Sequence, residues 1–552
     1  MPAPASAQEV EILKITVGRP TTLSPVTCQN CSSLASSRTG ALAAFYPPRP
    51  SARPEVYRVS TDAGSTWAEE LPSPAILFGG ACSTPLREGG VLQIMGTANP
   101  TPGDPSAPKR LLFSDDFLHY ETSPATVDLP GAVLQTRWAS FYPAFDKGKI
   151  LELPDGGLLA PMYGYLEGDT QYRVLLMRSA DKGHSWRYYS TVAYDPDDPD
   201  PDLVGQYCGF CEPSFARLPN GQLLCVMRTQ GTHLPAEYRP LYVAWSDDLG
   251  KTWTKPVPTQ PHLMNIWPTL AVLDNGVVAC AYGRPGFHVA FSIDNGRTWR
   301  DRVSFSHLSV NEVTGQVDIV KAGPNKLVAI GGTENGTKVF PITVERLTVP
   351  SPVMPLSGRV LNESGAPIAD ALLELAPNRY VADSHVEPAE NAKLDQWRAA
   401  PEIPGAPELR YQSIRPSNGY PTVRTDARGA FRFETAALGE HILTVEAKGY
   451  APQYRRVAVA PGLELEEFRL KPGRSIRGRV VDADGRPLPG MCVVLETSHV
   501  HTDPDGFFHW AVVGSPPDPV RVKVYRKYGA SSKSFSGTLP LSQIMSGPIT
   551  VK

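Results

Sequence analysis

Four short segments follow one pattern and constrain the fold of this chain more than anything else in it. They are STDAGSTW (60–67), SADKGHSW (179–186), SDDLGKTW (246–253) and SIDNGRTW (292–299). Each reads as a tight turn between two strands. Asp62, Asp181, Asp248 and Asp294 stand where a carboxylate accepts backbone N–H bonds within the turn. Gly64, Gly183, Gly250 and Gly296 stand where the chain needs a positive φ that a Cβ opposes. Trp67, Trp186, Trp253 and Trp299 supply a large ring to bury against the neighbouring unit. A fifth segment, SDDFLHYE (114–121), keeps the Ser and Asp and lacks the Gly and Trp. Identical spacing in four places points to a structural staple, so these carboxylates are not expected to be catalytic.

A second repeat precedes each turn: a strand, a turn with Gly, then an apolar strand ending in Tyr or Arg. It appears as RTGALAAFY (38–46), LPDGGLLAPMYG (153–164), LPNGQLLCVMR (218–228) and LDNGVVACAYGR (273–284). Weaker copies are REGGVLQIMG (87–96) and GPNKLVAIGG (323–332). Six hairpins thus lie between about residues 25 and 340. EVEILKITV (9–17) is placed to add the outer strand of the last one and close a ring, which removes exposed sheet edges. Proline, 56 of 552 residues, runs at about twice the usual share, which suits strand edges and turns and opposes long helices. The turn segments resemble the Asp-box of the sialidase superfamily, whose fold is a six-bladed β-propeller.

From about residue 350 the pattern changes. SGRVLNESGAPIADALLEL (357–375) parallels RGRVVDADGRPLPGMCVVLE (477–496), and TDARGAFRF (425–433) parallels TDPDGFFHW (502–510). Each pair reads as strand, turn, strand, then an Asp-Gly turn into a further strand. They resemble the carboxypeptidase regulatory-like, transthyretin-like β-sandwich. The expected fold is therefore all-β, a six-bladed propeller followed by two small β-sandwiches. The expected boundaries are a disordered 1–8, a propeller at 9–348, a sandwich at 349–472 and a second at 473–552. The first sandwich carries an inserted polar, Pro-rich loop at about 378–420. The sandwiches hold no clustered acid, base or nucleophile set and read as spacer or packing domains. Cys492 reads as a small buried hydrophobe, and Asp503 with Asp505 is too little for a calcium site.

In a propeller the innermost strands converge at one axial mouth, so chemistry is sought there. CGFCEPSFARLPNGQLLCVMRTQG (208–231) places Glu212 at the start of the fourth inner strand and Arg228 at the end of the next. This is similar to the sialidase pattern of a Glu followed some sixteen residues later by an Arg. The resemblance implies that Glu212 tunes catalysis and that Arg228, with Arg284 in the fifth blade, binds a sugar carboxylate. Paired guanidinium–carboxylate bonds give Arg its advantage there. A simple inter-strand ion pair is the plainer alternative. Three family features are unmatched: CQNCSSL (28–34) has no Arg, YPPRPSARPEVYRV (46–59) has no Asp, and EVTGQVDIV (312–320) has no Tyr. A glycosidase needs a proton donor and a nucleophile or water-activating base. Asp146 is the best second carboxylate, with Glu237, Glu312 and Asp318 behind it. Tyr207 is a substitute nucleophile, and Tyr46, Tyr163 and Tyr282 are candidate sugar-stacking walls.

Cys28 with Cys31 and Cys208 with Cys211 form two CxxC pairs, with Cys82 placed similarly in blade 2. Four thiolates can hold zinc, but blades 1 and 4 oppose each other, so local disulfides or axis-facing thiols are expected and no metal or cofactor. The net charge of −3 argues against a nucleic-acid binder. No apolar run is long enough for a membrane span. Ala-Ser-Ala-Gln near the start resembles the end of a cleaved export signal and implies a secreted or periplasmic protein. The resemblances together imply an exo-glycoside hydrolase that removes a terminal sialic acid or related acidic sugar from a glycan. The alternatives are a lyase or glycosidase for uronic-acid or neutral sugars, and a glycan-binding protein without catalysis.

Overall fold

The structure is a computed structural model. It describes residues 7–27, 32–48, 55–74, 82–95, 110–134, 142–145, 148–197, 199, 207–231, 240–260, 263, 266–283, 286–306, 317–333, 336–377, 421–447, 449–450, 453–460, 463, 466–495, 498–513, 518–525 and 534–551. Two compact units emerge. One is built on Ile15–Glu345; the other holds the residues up to Lys14 and the described residues from Arg346 onward.

The repeated turns form as their composition requires. In the first, Ser60 Oγ donates to Asp62 Oδ1 at 2.8 Å and accepts from the Gly64 N–H at 2.9 Å. Asp62 accepts from the Thr66 N–H at 2.8 Å and the Thr66 hydroxyl at 2.7 Å. The same bonds recur around Asp181, Asp248 and Asp294. Positive φ extends one residue further than the Gly pattern predicts. Ala63, Lys182, Leu249 and Asn295 also lie near +60°. Their side chains tolerate this only because the Ser–Asp lattice fixes the turn around them.

The glycines have a second reason to be there. A Cβ on Gly64 would meet Val328, on Gly183 Leu111, on Gly250 Leu176 and on Gly296 Leu224, all at 2.6–2.9 Å. Each turn therefore sits against an aliphatic side chain of the preceding sheet. Ser190 Oγ donating to the Gly250 carbonyl at 2.5 Å, and Trp245 Nε1 donating to the Asn295 carbonyl at 2.9 Å, reinforce these clasps. Trp186 and Trp299 are fully buried, while Trp67 and Trp253 are half-buried.

Six sheets follow in chain order. Their innermost strands are Ser33–Ser36, Cys82–Pro85, the pair Ala144–Phe145 and Leu151–Glu152, Tyr207–Arg217, Ile266–Val272 and Asp318–Gly323. Each innermost strand neighbours the next. Ser83 bridges to Lys149 between the second and third sheets, and Asp318–Gly323 lies against Ser33–Ser36 to close the ring. The predicted terminal strand is present as Ala7–Val17, beginning two residues before the expected limit. It pairs with Gly336–Asn362, the strand next to Lys326–Thr333 in the sixth sheet. Apolar clusters fill the spaces between successive sheets, for example Leu159, Leu176, Phe215, Leu223 and Tyr242 between the third and fourth.

In the second unit two separate cores form. The C-terminal half of Gly336–Asn362, with Ala430–Ala437 and Glu466–Leu470, faces a sheet of Leu372–Pro377, Thr422–Arg424, Gly439–Glu446 and Gln453–Val459 across Leu356, Val360, Leu373, Phe433 and Phe468. Arg474–Val481, Phe507–Val513 and Pro548–Thr550 face Cys492–Leu495, Ser498–His501, Val520–Tyr525 and Ser534–Leu539 across Ile476, Val480, Val493, Phe508 and Val522. The repeat of sequence is a repeat of structure. A short helix, Leu541–Ser546, completes the second core through Leu541 and Ile544. The span 378–420 lies outside the described residues.

Candidate active site

Strand register places a polar layer around the ring. Ser33, Cys82, Ser214 and Thr269 each pair with the fourth residue of the following strand, Phe45, Ile94, Val226 and Ala281, and Asp318 pairs with the fifth, Ile330. Lys149, bridged to Ser83, brings the third sheet to the same region. Lys149 Nζ lies 3.0 Å from Asp318 Oδ1, an ion pair joining the third and sixth sheets, which stand opposite each other in a ring of six. Asp318 also accepts from the Leu34 and Ile319 N–H groups, both at 2.7 Å. Asp318 is thus a fully engaged carboxylate that ties the ring together, which disfavours it as a second catalytic acid.

One step along each inner strand, the fourth and fifth sheets depart from regular geometry in the same way. The ladder slips between Cys211 and Ser214 and again between Ile266 and Thr269. Within these irregularities Glu212 has φ +49° and Trp267 has φ +42°. A non-glycine residue in that region costs about 1–3 kcal/mol and persists only where its surroundings hold it. Glu212 therefore lies at a bulge inside its strand rather than at the strand's start. Both residues precede a proline, Pro213 and Pro268, a shared dipeptide position that is the sequence signal for the pair of bulges. Bulges re-aim side chains, and here they turn a carboxylate and a backbone N–H toward one another.

Arg228 Nη1 donates to Glu212 Oε1 at 2.7 Å, and the Trp267 N–H donates to Glu212 Oε2 at 3.0 Å. Glu212 is 6% exposed and Arg228 7% exposed. Both carboxylate oxygens are committed, and the ion pair is desolvated. Leu270 N–H donating to Ser214 Oγ at 3.1 Å adds a further tie between the same two sheets. The predicted proximity of Glu212 and Arg228 is thus present as a direct bond. The Trp267 partner was not expected.

The remaining candidates divide. Asp146, Arg284, Glu237 and Glu312 lie outside the described residues, as do Cys28 and Cys31. Tyr207 opens the Glu212 strand and packs edge to face on Phe210, 5.9 Å between ring centroids, in the core between the third and fourth sheets. Tyr163 is half-buried against Tyr172 at 5.7 Å. Two of the proposed stacking walls are corrected. Tyr282 is 1% exposed and leans on His288, and Tyr46 is 0% exposed with its hydroxyl donating to Glu70 at 2.8 Å. Burial pushes the Tyr46 hydroxyl up to about 12. These rings occupy a repeat position facing the neighbouring sheet, so they pack rather than meet solvent.

Cys208 and Cys211 are buried beside Tyr165 and Tyr172. Gly209 lies between the two cysteines in sequence, at φ +106°, and approaches Tyr172 so closely that a Cβ would sit 2.2 Å from the Tyr172 nitrogen. That contact explains a glycine inside the CxxC pair. Cys225 and Cys280 are buried free thiols. Among the described residues no group of three or more His, Cys, Asp or Glu is arranged to hold a metal. No helix among them is long and apolar enough to cross a membrane.

Residues 79–314 match the BNR repeat-like domain. No curated protein matches the sequence. Similar solved structures include a protein of unknown function from Dyadobacter fermentans, 16% identical with a TM-score of 0.42, over 62% of this chain and 100% of that one. A Hadza microbial sialidase is 16% identical with a TM-score of 0.43, over 58% of this chain and 65% of that one. A Penicillium chrysogenum α-L-arabinanase complexed with arabinobiose is 15% identical with a TM-score of 0.40, over 60% of this chain and 98% of that one.

Proposed function

We propose that the protein is an exo-acting glycoside hydrolase that removes a terminal acidic sugar, sialic acid or a relative, from a glycan. One observation carries this reading: a desolvated Glu212–Arg228 pair held on strained backbone where two inner strands bulge. Buried charges and left-handed non-glycine residues both cost free energy, and at Glu212 the two coincide in one residue. Arg228 would take the sugar carboxylate through its guanidinium group. Glu212, oriented by the Trp267 N–H, would set the charge beside the reacting carbon. Asp146 is proposed as the second carboxylate, with Tyr207 as substitute nucleophile and Arg284, Glu237 and Tyr163 on the sugar.

A second reading, glycan binding without catalysis, is favoured by the engagement of both Glu212 oxygens. A carboxylate so held offers a substrate no uncommitted oxygen until Arg228 moves. Initial rates on fluorogenic sialosides, uronides and neutral glycosides, with a glycan array in parallel, test the two. Release of sialic acid that falls on Arg228→Ala supports the proposal. Turnover confined to uronides or neutral sugars moves the substrate class. Array binding with no product from any glycoside refutes the hydrolase and leaves the binding protein.

A further inference from the structure

The second sandwich carries a face that its sister does not. On Arg474–Val481 and Phe507–Val513, Ile476, Gly478, Val480 and Phe508 are buried, so Arg477, Arg479, Phe507 and His509 point the other way. Register sets Arg479 directly opposite Phe507 and Arg477 opposite His509. The Arg479 guanidinium lies 4.9 Å from the Phe507 ring centroid, and Phe507 remains 45% exposed. The three strands of this sheet hold Arg474, Arg477 and Arg479 and no Asp or Glu. Neither Arg477 nor Arg479 has an ion pair among the described residues.

The matching sheet of the first sandwich is neutralised. Arg432 pairs with Glu434 at 3.0 Å and Arg469 with Glu467 at 2.7 Å. The turns leading into the two strands are built alike, Asp426 and Asp503 each accepting two backbone N–H bonds. Yet Ala430 stands where the second copy has Phe507, and Arg432 where it has His509. Residues 473–552 hold ten Lys and Arg against six Asp and Glu, in a chain whose net charge is −3. The positive charge is therefore concentrated in this domain rather than being a property of the chain.

We infer that this face, Arg477, Arg479 and Phe507, is a docking platform for an acidic polysaccharide. An exposed sheet face suits an extended chain. Phe507 offers a ring for the C–H face of a sugar, held in place by Arg479, and the two guanidinium groups meet sugar carboxylates. The choice of an acidic glycan over other polyanions rests on the hydrolase reading; the charge and the aromatic face do not.

The test is affinity electrophoresis of the full chain through gels containing polygalacturonate or, as the neutral control, dextran. Anionic phospholipid vesicles and duplex DNA are assayed separately. The expected result is retardation by polygalacturonate, absent with dextran and weakened by salt. The double variant R477S/R479S should bind roughly tenfold more weakly, and F507A severalfold more weakly. F507A alters only an exposed ring, so it keeps the test valid if the double variant fails to fold. Equal retardation of F507A and the parent chain overturns the inference, as does binding to vesicles or DNA without binding to the polysaccharide. Turnover of a small soluble glycoside is recorded for the same proteins and should not change. A chain that binds polymer through this face yet turns over no glycoside refutes the hydrolase and leaves the platform standing.

Discussion

An Arg228→Leu substitution strips the buried Glu212 carboxylate of its counter-charge and leaves it the Trp267 N–H. Unit charges about 4 Å apart attract by about 4 kcal/mol at an effective dielectric near 20. Removing one partner of a buried pair typically costs about 3–5 kcal/mol, because the other charge stays desolvated and unpaired. With Glu212 and Arg228 at 6% and 7% exposure, the upper part of that range applies. Urea unfolding followed by tryptophan fluorescence reads the effect in the propeller, since seven of the nine tryptophans fall within residues 15–345. The double variant R228L/E212L should lose less than the single R228L, as an apolar pair of similar volume removes both desolvation costs. An R228L chain destabilised by only about 1 kcal/mol or less would place the pair among exposed, screened ion pairs and refute the reasoning.

Other expectations follow from the repeated turns. Gly296→Ala sets a Cβ 2.7 Å from Leu224 at φ +79° and should cost about 2–4 kcal/mol. Gly221→Ala, at φ +90° with open space around it, should cost only about 1–2 kcal/mol; equal losses in a denaturation series would show that the inter-sheet clasp is unimportant. The Thr252 N–H, aided by the Thr252 and Ser246 hydroxyls and opposed by partial burial, holds Asp248 at about 2, below its ordinary 3.8. Because the folded value is the lower one, its stabilisation is full above about pH 4 and disappears as the pH falls through 2. The stability gap between wild type and Asp248→Asn should therefore narrow between pH 4 and pH 2, and a gap that stays constant would exclude the carboxylate as its source.

Much of the architecture was legible because the Ser-x-Asp-x-Gly-x-x-Trp turn writes its physics into one short stretch. Asp62, Gly64 and Trp67 are each there for a local reason that a sequence shows, and the same holds for the paired Asp426 and Asp503 turns. Ring closure by the N-terminal strand followed from counting hairpins. The site was legible only in part. Sixteen residues separate Glu212 from Arg228, a spacing that one hairpin brings together, so the pair could be foreseen. The Trp267 bond could not, since it joins separate sheets through a backbone N–H and two irregular ladders. The Lys149–Asp318 bridge was equally hidden, because it connects residues 169 positions apart. Tyr46 and Tyr282 misled for a physical reason: a repeated aromatic at a strand end is placed by packing between sheets, and its hydroxyl gives no sign of which face it serves.

The central claim is that Glu212 acts in glycoside cleavage. The most direct measurement is the initial rate of Glu212→Gln beside wild type on the best glycoside of the panel, with folding checked by matching urea midpoints. A charge beside the reacting carbon should be worth about 10²–10⁴-fold, so the variant should lose at least two orders of magnitude in kcat. Turnover equal to wild type in a folded Glu212→Gln chain would reduce the Glu212–Arg228 pair to a structural tie and contradict the account.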